Sequence, residues 1–208
     1  REQNVFEQGP EHADRIIISS PVLSNSKMRQ LRDVEKEREG YGVVDIDLNY
    51  AEAEGLQAAI ARICEEAAQA VRDGKTLIVL TDKNLREGFL PANSALATGA
   101  VHHHLIKTGL RTDANILVET GFARDPHQFA VLLGFGATAV YPYLAYDVIN
   151  DLVAKGELLG DPIHAQANFR KGIEKGLLKV LSKMGISTVA SYRGGQLFEA
   201  VGLSSEVV

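Results

Sequence analysis

Asp82 and Glu119 are the acidic residues best placed to do chemistry. Each stands at or just after the end of a short run rich in Ile, Val and Leu, and α/β folds gather ligands at the carboxyl ends of such strands. A carboxylate there can hold a proton or a small ligand, or it can cap a helix and fix a loop; the second role carries more weight. His102, His103 and His104 invite a metal reading. On a helix, however, successive side chains point about 100° apart, and helical ligands need spacings of three or four. No metal site is therefore expected: one histidine should pack inward and the others cap or face solvent. Lys171, Lys175, Lys179 and Lys183 repeat every fourth residue, opposite an apolar face of Phe169, Ile173, Leu177, Val180, Leu181 and Met184. Such a stripe is ordinarily solvated, and it can also attract an anion or an acidic partner. Lys183 differs, because it ends the helix beside Met184-Gly185, and glycine lets backbone amides approach a phosphate or a flavin ring closely. Gly134-Phe135-Gly136 lacks the further glycine of a dinucleotide loop and follows a helix, so it ends that helix. No Ser, Cys or His nucleophile arrangement is present, and no catalytic residue is assigned.

Those groups need elements to position them. Apolar runs at 15–18, 43–48, 76–81, 115–119 and 137–141 read as strands of a mostly parallel sheet buried on both faces. Between them, residues 56–72 place Leu56, Ile60, Ile63, Cys64, Ala67 and Val71 on one face of a helix, which Gly74 stops. Helices are also expected at 91–107, from Asp125-Pro126 onward, at 143–155 and at 169–184. This alternation gives an α/β fold with right-handed crossovers. Residues 1–15 read as a linker or arm. Gly160, Asp161 and Pro162 mark 156–168 as the boundary between a domain at 16–168 and a second unit at 169–208.

Composition narrows the function classes. The chain has 208 residues and a net charge of -5, which argues against nucleic-acid binding. No apolar run reaches the roughly 18 residues of a membrane span. The single cysteine, Cys64, excludes an internal disulfide and any iron–sulfur cluster built from this chain alone, since a cluster needs three or four thiolates. A single cysteine also suits a reducing compartment, and no signal-peptide pattern is seen.

Longer strings carry a resemblance. SPVLS at 20–24, AVHHHLI at 100–106, GLRT at 109–112, VETG at 118–121, PYLA at 142–145, KGLLKVLSKMGIST at 175–188 and SYRGGQLFEAVGL at 191–203 together resemble the large chain of glutamate synthase, in that family's order. The sequence departs from the family at Asp82-Lys83, His127-Gln128 and Tyr141. The resemblance implies a segment of an oxidoreductase, acting on CH–NH2 donors, that makes two glutamates from glutamine and 2-oxoglutarate with electrons from NAD(P)H or ferredoxin. It implies a rudimentary barrel-like central α/β domain followed by the opening of an FMN-binding (β/α)8 barrel. FMN and an iron–sulfur cluster would belong to the full-length enzyme, with neither tightly bound to this segment. Its partners would be the glutaminase and FMN domains of the same polypeptide, with a small NAD(P)H-oxidising subunit or ferredoxin. The location would be cytoplasmic, or plastid for a ferredoxin-type parent. By its motif, the resemblance puts Ser182, Lys183, Met184 and Gly185 near the flavin, with Gln196 a further candidate. The competing readings are a free-standing α/β enzyme for a small acidic or phosphorylated ligand, using Asp82, Glu119 and Lys183, and a binding module using the lysine stripe. Leu197, Phe198, Val201 and Leu203 need a partner surface under the first reading, so the isolated chain should self-associate.

Overall fold

A computed structural model describes residues 15–204 together with Phe6 and Gly9; most of the expected arm at 1–15 lies outside the described residues. Four parallel strands form the sheet in the order β1 (Gly42–Asp47), β3 (Lys75–Thr81), β5 (Asn115–Glu119) and β6 (Ala139–Tyr141). A two-stranded antiparallel ribbon, β2 (Asn49–Ala51) with β4 (Phe89–Pro91), sits beyond the ends of β1 and β3. The expected strand at 15–18 has no regular structure. The chain joins the sheet only at a single parallel bridge, Val22 with Val140. The Val140 amide donates to the Pro21 carbonyl at 2.7 Å and the Leu23 amide to the Val140 carbonyl at 2.9 Å. Pro21 has no N–H to extend that ladder. β6 begins at Ala139 rather than 137, because the amides of Gly136 and Ala137 are still bonded to the carbonyls of Leu133 and Leu132 in the turn after the preceding helix.

The sheet's two faces are covered differently. Ile78, Leu80, Ile116, Val118 and Val140 pack into the larger core, beneath α2 (Leu56–Arg72), α3 (Ser94–Lys107) and α4 (Pro126–Gly134). The alternate residues Leu77, Val79, Leu117 and Ala139 meet Met28, Leu31 and Val34 of α1 (Asn25–Glu37). α1 thus fills the face that a closed barrel would use as its lumen. The sequence reading contains no such helix. Its apolar stripe is narrow, with three buried residues in thirteen, so periodicity hardly registers.

The other helices follow their caps. Asp125 accepts from the amides of His127 and Gln128, and the Gln128 side chain returns the bond to the Asp125 amide, a capping box before Pro126. α3 begins at Ser94 instead of 91, because Asn93 caps it and residues 89–91 are used by β4. α5 (Tyr143–Ala154) ends one residue before the expected limit and is tied to the start of the chain by the Tyr146 hydroxyl, which donates to the Leu23 carbonyl at 2.7 Å. α6 (Pro162–Met184) starts well before 169, with Asp161 accepting from the His164 amide. Most of the expected boundary segment is therefore helix, and α6 runs unbroken through residues 168 and 169. α7 (Val189–Tyr192) closes the described elements.

α6 lies against α4 through a glycine. A Cβ on Gly176 would come within 2.4 Å of the Pro126 ring. Gly176→Ala is therefore expected to separate the two helices and to cost about 1–3 kcal/mol. Urea unfolding measures the loss, and faster amide exchange along α6 locates it.

Candidate functional site

The carboxyl end of the sheet carries a polar row. Asp47 pairs in register with Thr81, Thr81 with Glu119, and Glu119 with Tyr141. All four lie on the α1 side, one step above the row of Asp45, Val79, Leu117 and Ala139. Period-two alternation puts them there. In an α/β enzyme this row would face a ligand. Here Arg32 of α1 fills the place. Its Nη1 and Nη2 donate to Glu119 Oε1 and Oε2 at 3.2 and 2.9 Å, and Nη2 also reaches Asp45 Oδ2 at 2.9 Å. The Glu119 side chain is 2% exposed and Arg32 32%; Thr81 Oγ1 donates a further bond to Glu119. Burial works against the Arg32 charge, but the bonds and charges of Glu119 and Asp45 outweigh it and hold the guanidinium above its ordinary range.

Asp82 is also saturated. It accepts from the Thr120 hydroxyl and the Gly121 amide, which fixes the loop after β5. Burial raises its pKa, against the pull of Thr120, Gly121 and Tyr143, and the charge of Glu119 adds to the rise. Among the described residues none of the bonds of Asp82 or Glu119 involves Lys183, which is exposed at the end of α6. The carboxylates therefore serve as loop and helix anchors and do not converge with Lys183. Sequence reasoning found Glu119 but missed Arg32, Asp45 and Tyr141, whose hydroxyl donates to Asn25 Oδ1 at 2.9 Å. The alternation Val43, Asp45, Asp47 was the available signal for a face that turns polar at its carboxyl end.

Ser182, Lys183, Met184 and Gly185 are all exposed at the carboxyl end of α6. Gln196 is exposed in the strap that follows α7, and it is the one non-glycine with a positive φ, 53°, among the described residues. Two cavities lie among the described residues. One, of about 250 Å³, is lined by Leu177, Leu178, Val180, Leu181, Val189 and Tyr192. The other, of about 590 Å³, lies at the amino-terminal end of the sheet, lined by Thr76, Asn115 and Thr138 together with Leu31 of α1 and Ile16 and Ile18. None of the five residues lines either cavity. The strap is instead pinned to α4: the Gly194 amide donates to the Gly134 carbonyl at 3.0 Å, and Phe198 packs where a Cβ on Gly134 would be. Leu197, Val201 and Leu203 remain exposed, Val201 at 91%. Cys64, the one thiol in the chain, is buried in α2, where burial first, and then the Glu65 charge, raises its pKa.

The histidines separate as the helix geometry requires. His102 turns inward, His103 faces solvent, and His104 Nε2 lies 3.6 Å from Glu65. Nδ1 of His102 accepts from Arg111 Nε at 2.9 Å. Burial, then the charges of Arg111, His103 and Arg193, lowers the His102 pKa from 6.5 to about 4. Below pH 6.5 the unfolded chain takes up a proton that the folded chain refuses until about pH 4, so this part of the stability is full above that window and is lost as pH falls through it. Solvent screening at the half-buried ring holds the effect to about 1–2 kcal/mol. Urea midpoints at pH 7 and pH 4.5 should fall further in the parent chain than in His102→Gln by that amount.

The glutamate synthase central domain model matches residues 1–204 of the chain. The chain belongs to that family. It is 35% identical to the NADH glutamate synthase of Saccharomyces cerevisiae, over 99% of this chain and 10% of that protein. It is 40% identical to the chloroplastic ferredoxin-dependent glutamate synthase of Oryza sativa subsp. japonica, over 100% of this chain and 14% of that protein. The NADPH glutamate synthase large chain of Bacillus subtilis is 40% identical over 93% of this chain and 12% of its own length. The central-domain chain thus spans only about a tenth to a seventh of these relatives. Among solved structures, a flavocytochrome b2 variant with pyruvate bound aligns at a TM-score of 0.53 and 12% identity, over 88% of this chain and 42% of that one. A mandelate oxidase variant aligns at 0.51 and 15%, over 79% and 42%. These α/β-barrel neighbours support the fold alone: the central domain matches part of a barrel, with α1 occupying what a closed barrel would enclose. No helix of the described residues is long and apolar enough to cross a membrane.

Proposed function

We propose that the chain is the connecting central segment of a glutamate synthase large chain, without chemistry of its own. The parent enzyme makes L-glutamate from L-glutamine and 2-oxoglutarate with electrons from NAD(P)H or ferredoxin. The segment joins its glutaminase domain to its FMN-binding synthase domain. The observation that carries this reading is the Arg32–Glu119 pair: the strand-end position where an α/β enzyme would take its ligand is filled by the chain's own α1.

In this reading residues 16–168 form the central domain, residues 169–208 open the synthase domain, and α6 carries the chain from one into the other. Ser182, Lys183, Met184, Gly185 and Gln196 would contact FMN once the remaining barrel supplies the other walls. FMN would then provide the electron relay; a closed barrel, not one or two of its strands, preorganises such a pocket. The iron–sulfur cluster would be held wholly by other parts of the polypeptide. A small NAD(P)H-oxidising subunit or ferredoxin would deliver electrons to those parts, in the cytoplasm or, for a ferredoxin-type parent, the plastid.

Titration of the 208-residue chain with FMN, read by flavin fluorescence, tests the proposal. No saturable quenching is expected up to high micromolar FMN. Tight stoichiometric quenching would overturn it, because the site would then be complete within this chain.

A further inference from the structure

Arg111 and Arg193 come together at the amino-terminal end of the sheet, far along the chain from each other. Arg111 lies in the 3-10 turn Arg111–Asp113 before β5. Its Nη1 donates to the Ala114 carbonyl at 2.6 Å, its Nη2 to the Gly136 carbonyl at 2.9 Å and its Nε to His102. Arg193, after α7, donates from Nη1 to Thr138 Oγ1 at 2.9 Å. Gly136 and Thr138 are two residues apart, so one short turn receives both guanidiniums. The His102 ring is wedged beside them: a Cβ on Gly136 would fall 2.4 Å from its Nδ1, and one on Gly194 2.8 Å from its Nε2.

Neither guanidinium has a carboxylate among the described residues, whereas Arg32, Arg62, Arg72 and Arg86 each have one or two. The acceptors that Arg111 and Arg193 do have are carbonyls, a hydroxyl and a neutral imidazole, none of which cancels charge. Burial, and then the charge of Arg193, pushes Arg111 down to about 10, and burial lowers Arg193 as well. A guanidinium offers five N–H donors in a planar fork. With only Nη1 of Arg193 engaged by a side chain, most of that fork is unused. Thr138, which accepts from Arg193, and Thr112, next to Arg111 in sequence, line the cavity of about 590 Å³, whereas neither arginine does. Two like charges, half-buried and without a counter-charge among the described residues, repel each other, and an anion between them would relieve that repulsion.

We propose that Arg111 and Arg193 form a binding site for one oxyanion, a phosphate or a carboxylate. Forked, charge-assisted hydrogen bonds from two guanidiniums match the geometry of either group. The proposal rests on the cluster itself and not on the family reading. The oxyanion comes either free from solution or from an acidic side chain in a neighbouring part of the longer polypeptide.

The test is the thermal midpoint of the 208-residue chain titrated with inorganic phosphate and, separately, with acetate, against chloride at matched ionic strength. A rise that saturates with phosphate is expected. Arg193→Gln should weaken the apparent affinity about tenfold, and Arg193→Lys, which keeps the charge but loses the fork, should fall between. Arg193 is the residue to change because Arg111 also anchors two carbonyls that the fold needs. Acetate acting as strongly as phosphate identifies a carboxylate occupant; phosphate acting alone identifies a free phosphate. The proposal is overturned if neither anion exceeds chloride, or if the Arg193→Gln and Arg193→Lys variants respond as the parent does. Should Arg193→Gln fail to fold, Arg193→Lys carries the same comparison.

Discussion

Arg32→Ala is expected to destabilise the chain by about 3 kcal/mol, near the lower end of what breaking a buried pair costs because Arg32 keeps some solvent exposure. The loss is not that of a surface salt bridge. Glu119 has a side chain only 2% exposed, and without Arg32 its remaining side-chain donor is Thr81. A buried carboxylate left with one hydroxyl bears most of its desolvation cost. Arg32→Ala combined with Glu119→Gln should therefore recover much of the loss, because a neutral amide is cheaper to bury. Urea unfolding of both single variants and the double variant gives the coupling energy. A coupling below about 0.5 kcal/mol, the size of ordinary non-additivity, would mean that Arg32 does not hold α1 over the sheet end. The proposed function would then lose its support, because the strand-end site would be open.

Phe129→Ala should cost about 3–5 kcal/mol. Phe129 is fully buried on α4, in the core beneath the sheet, and α4 packs against α3, α6, α7 and β6. A close-packed core has little freedom to collapse into the space, so the cavity cost adds to the lost transfer energy. For a chain of this length the thermal midpoint should fall by roughly 10 °C. Phe129→Leu keeps most of the volume and should cost under about 1.5 kcal/mol. The larger substitution should also speed amide exchange in α6, because α4 is the surface on which α6 rests through Gly176 and Pro126.

The elements legible in the sequence are those with strong local signals. Residues 76–81 and 115–119 are apolar on both faces because helices cover both sides of the sheet, so a continuous run marks them. α2 shows its period because it buries one wide stripe, Ala59, Ile63, Ala67 and Val71 among it. Asp125-Pro126 gives α4 its first residue. The same pair, Asp161-Pro162, starts α6, yet together with the glycines before it the pair suggested a domain boundary. The ribbon of β2 and β4 has three residues a strand, too few for alternation to be read. The strand expected at 15–18 carries the right composition but lacks a neighbour, since the chain meets β6 only at Val22.

The candidate site divides along the same line. Glu119 was recognisable from its place at a strand end. Its partner Arg32 is 87 residues away in sequence, on a helix with a faint pattern, and no motif connects them.

By its residues alone the chain determined its family and its alternation of strands and helices. Those follow from residue identity and from periodicities a few residues long, which the backbone imposes locally. Only the tertiary structure decided that α1 lies across the barrel-like face, that Arg32 fills the strand-end position, and that Arg111 and Arg193 meet without a carboxylate among the described residues. Each of these depends on which distant segments pack together, and burial sets the value of a charge only once that packing is known.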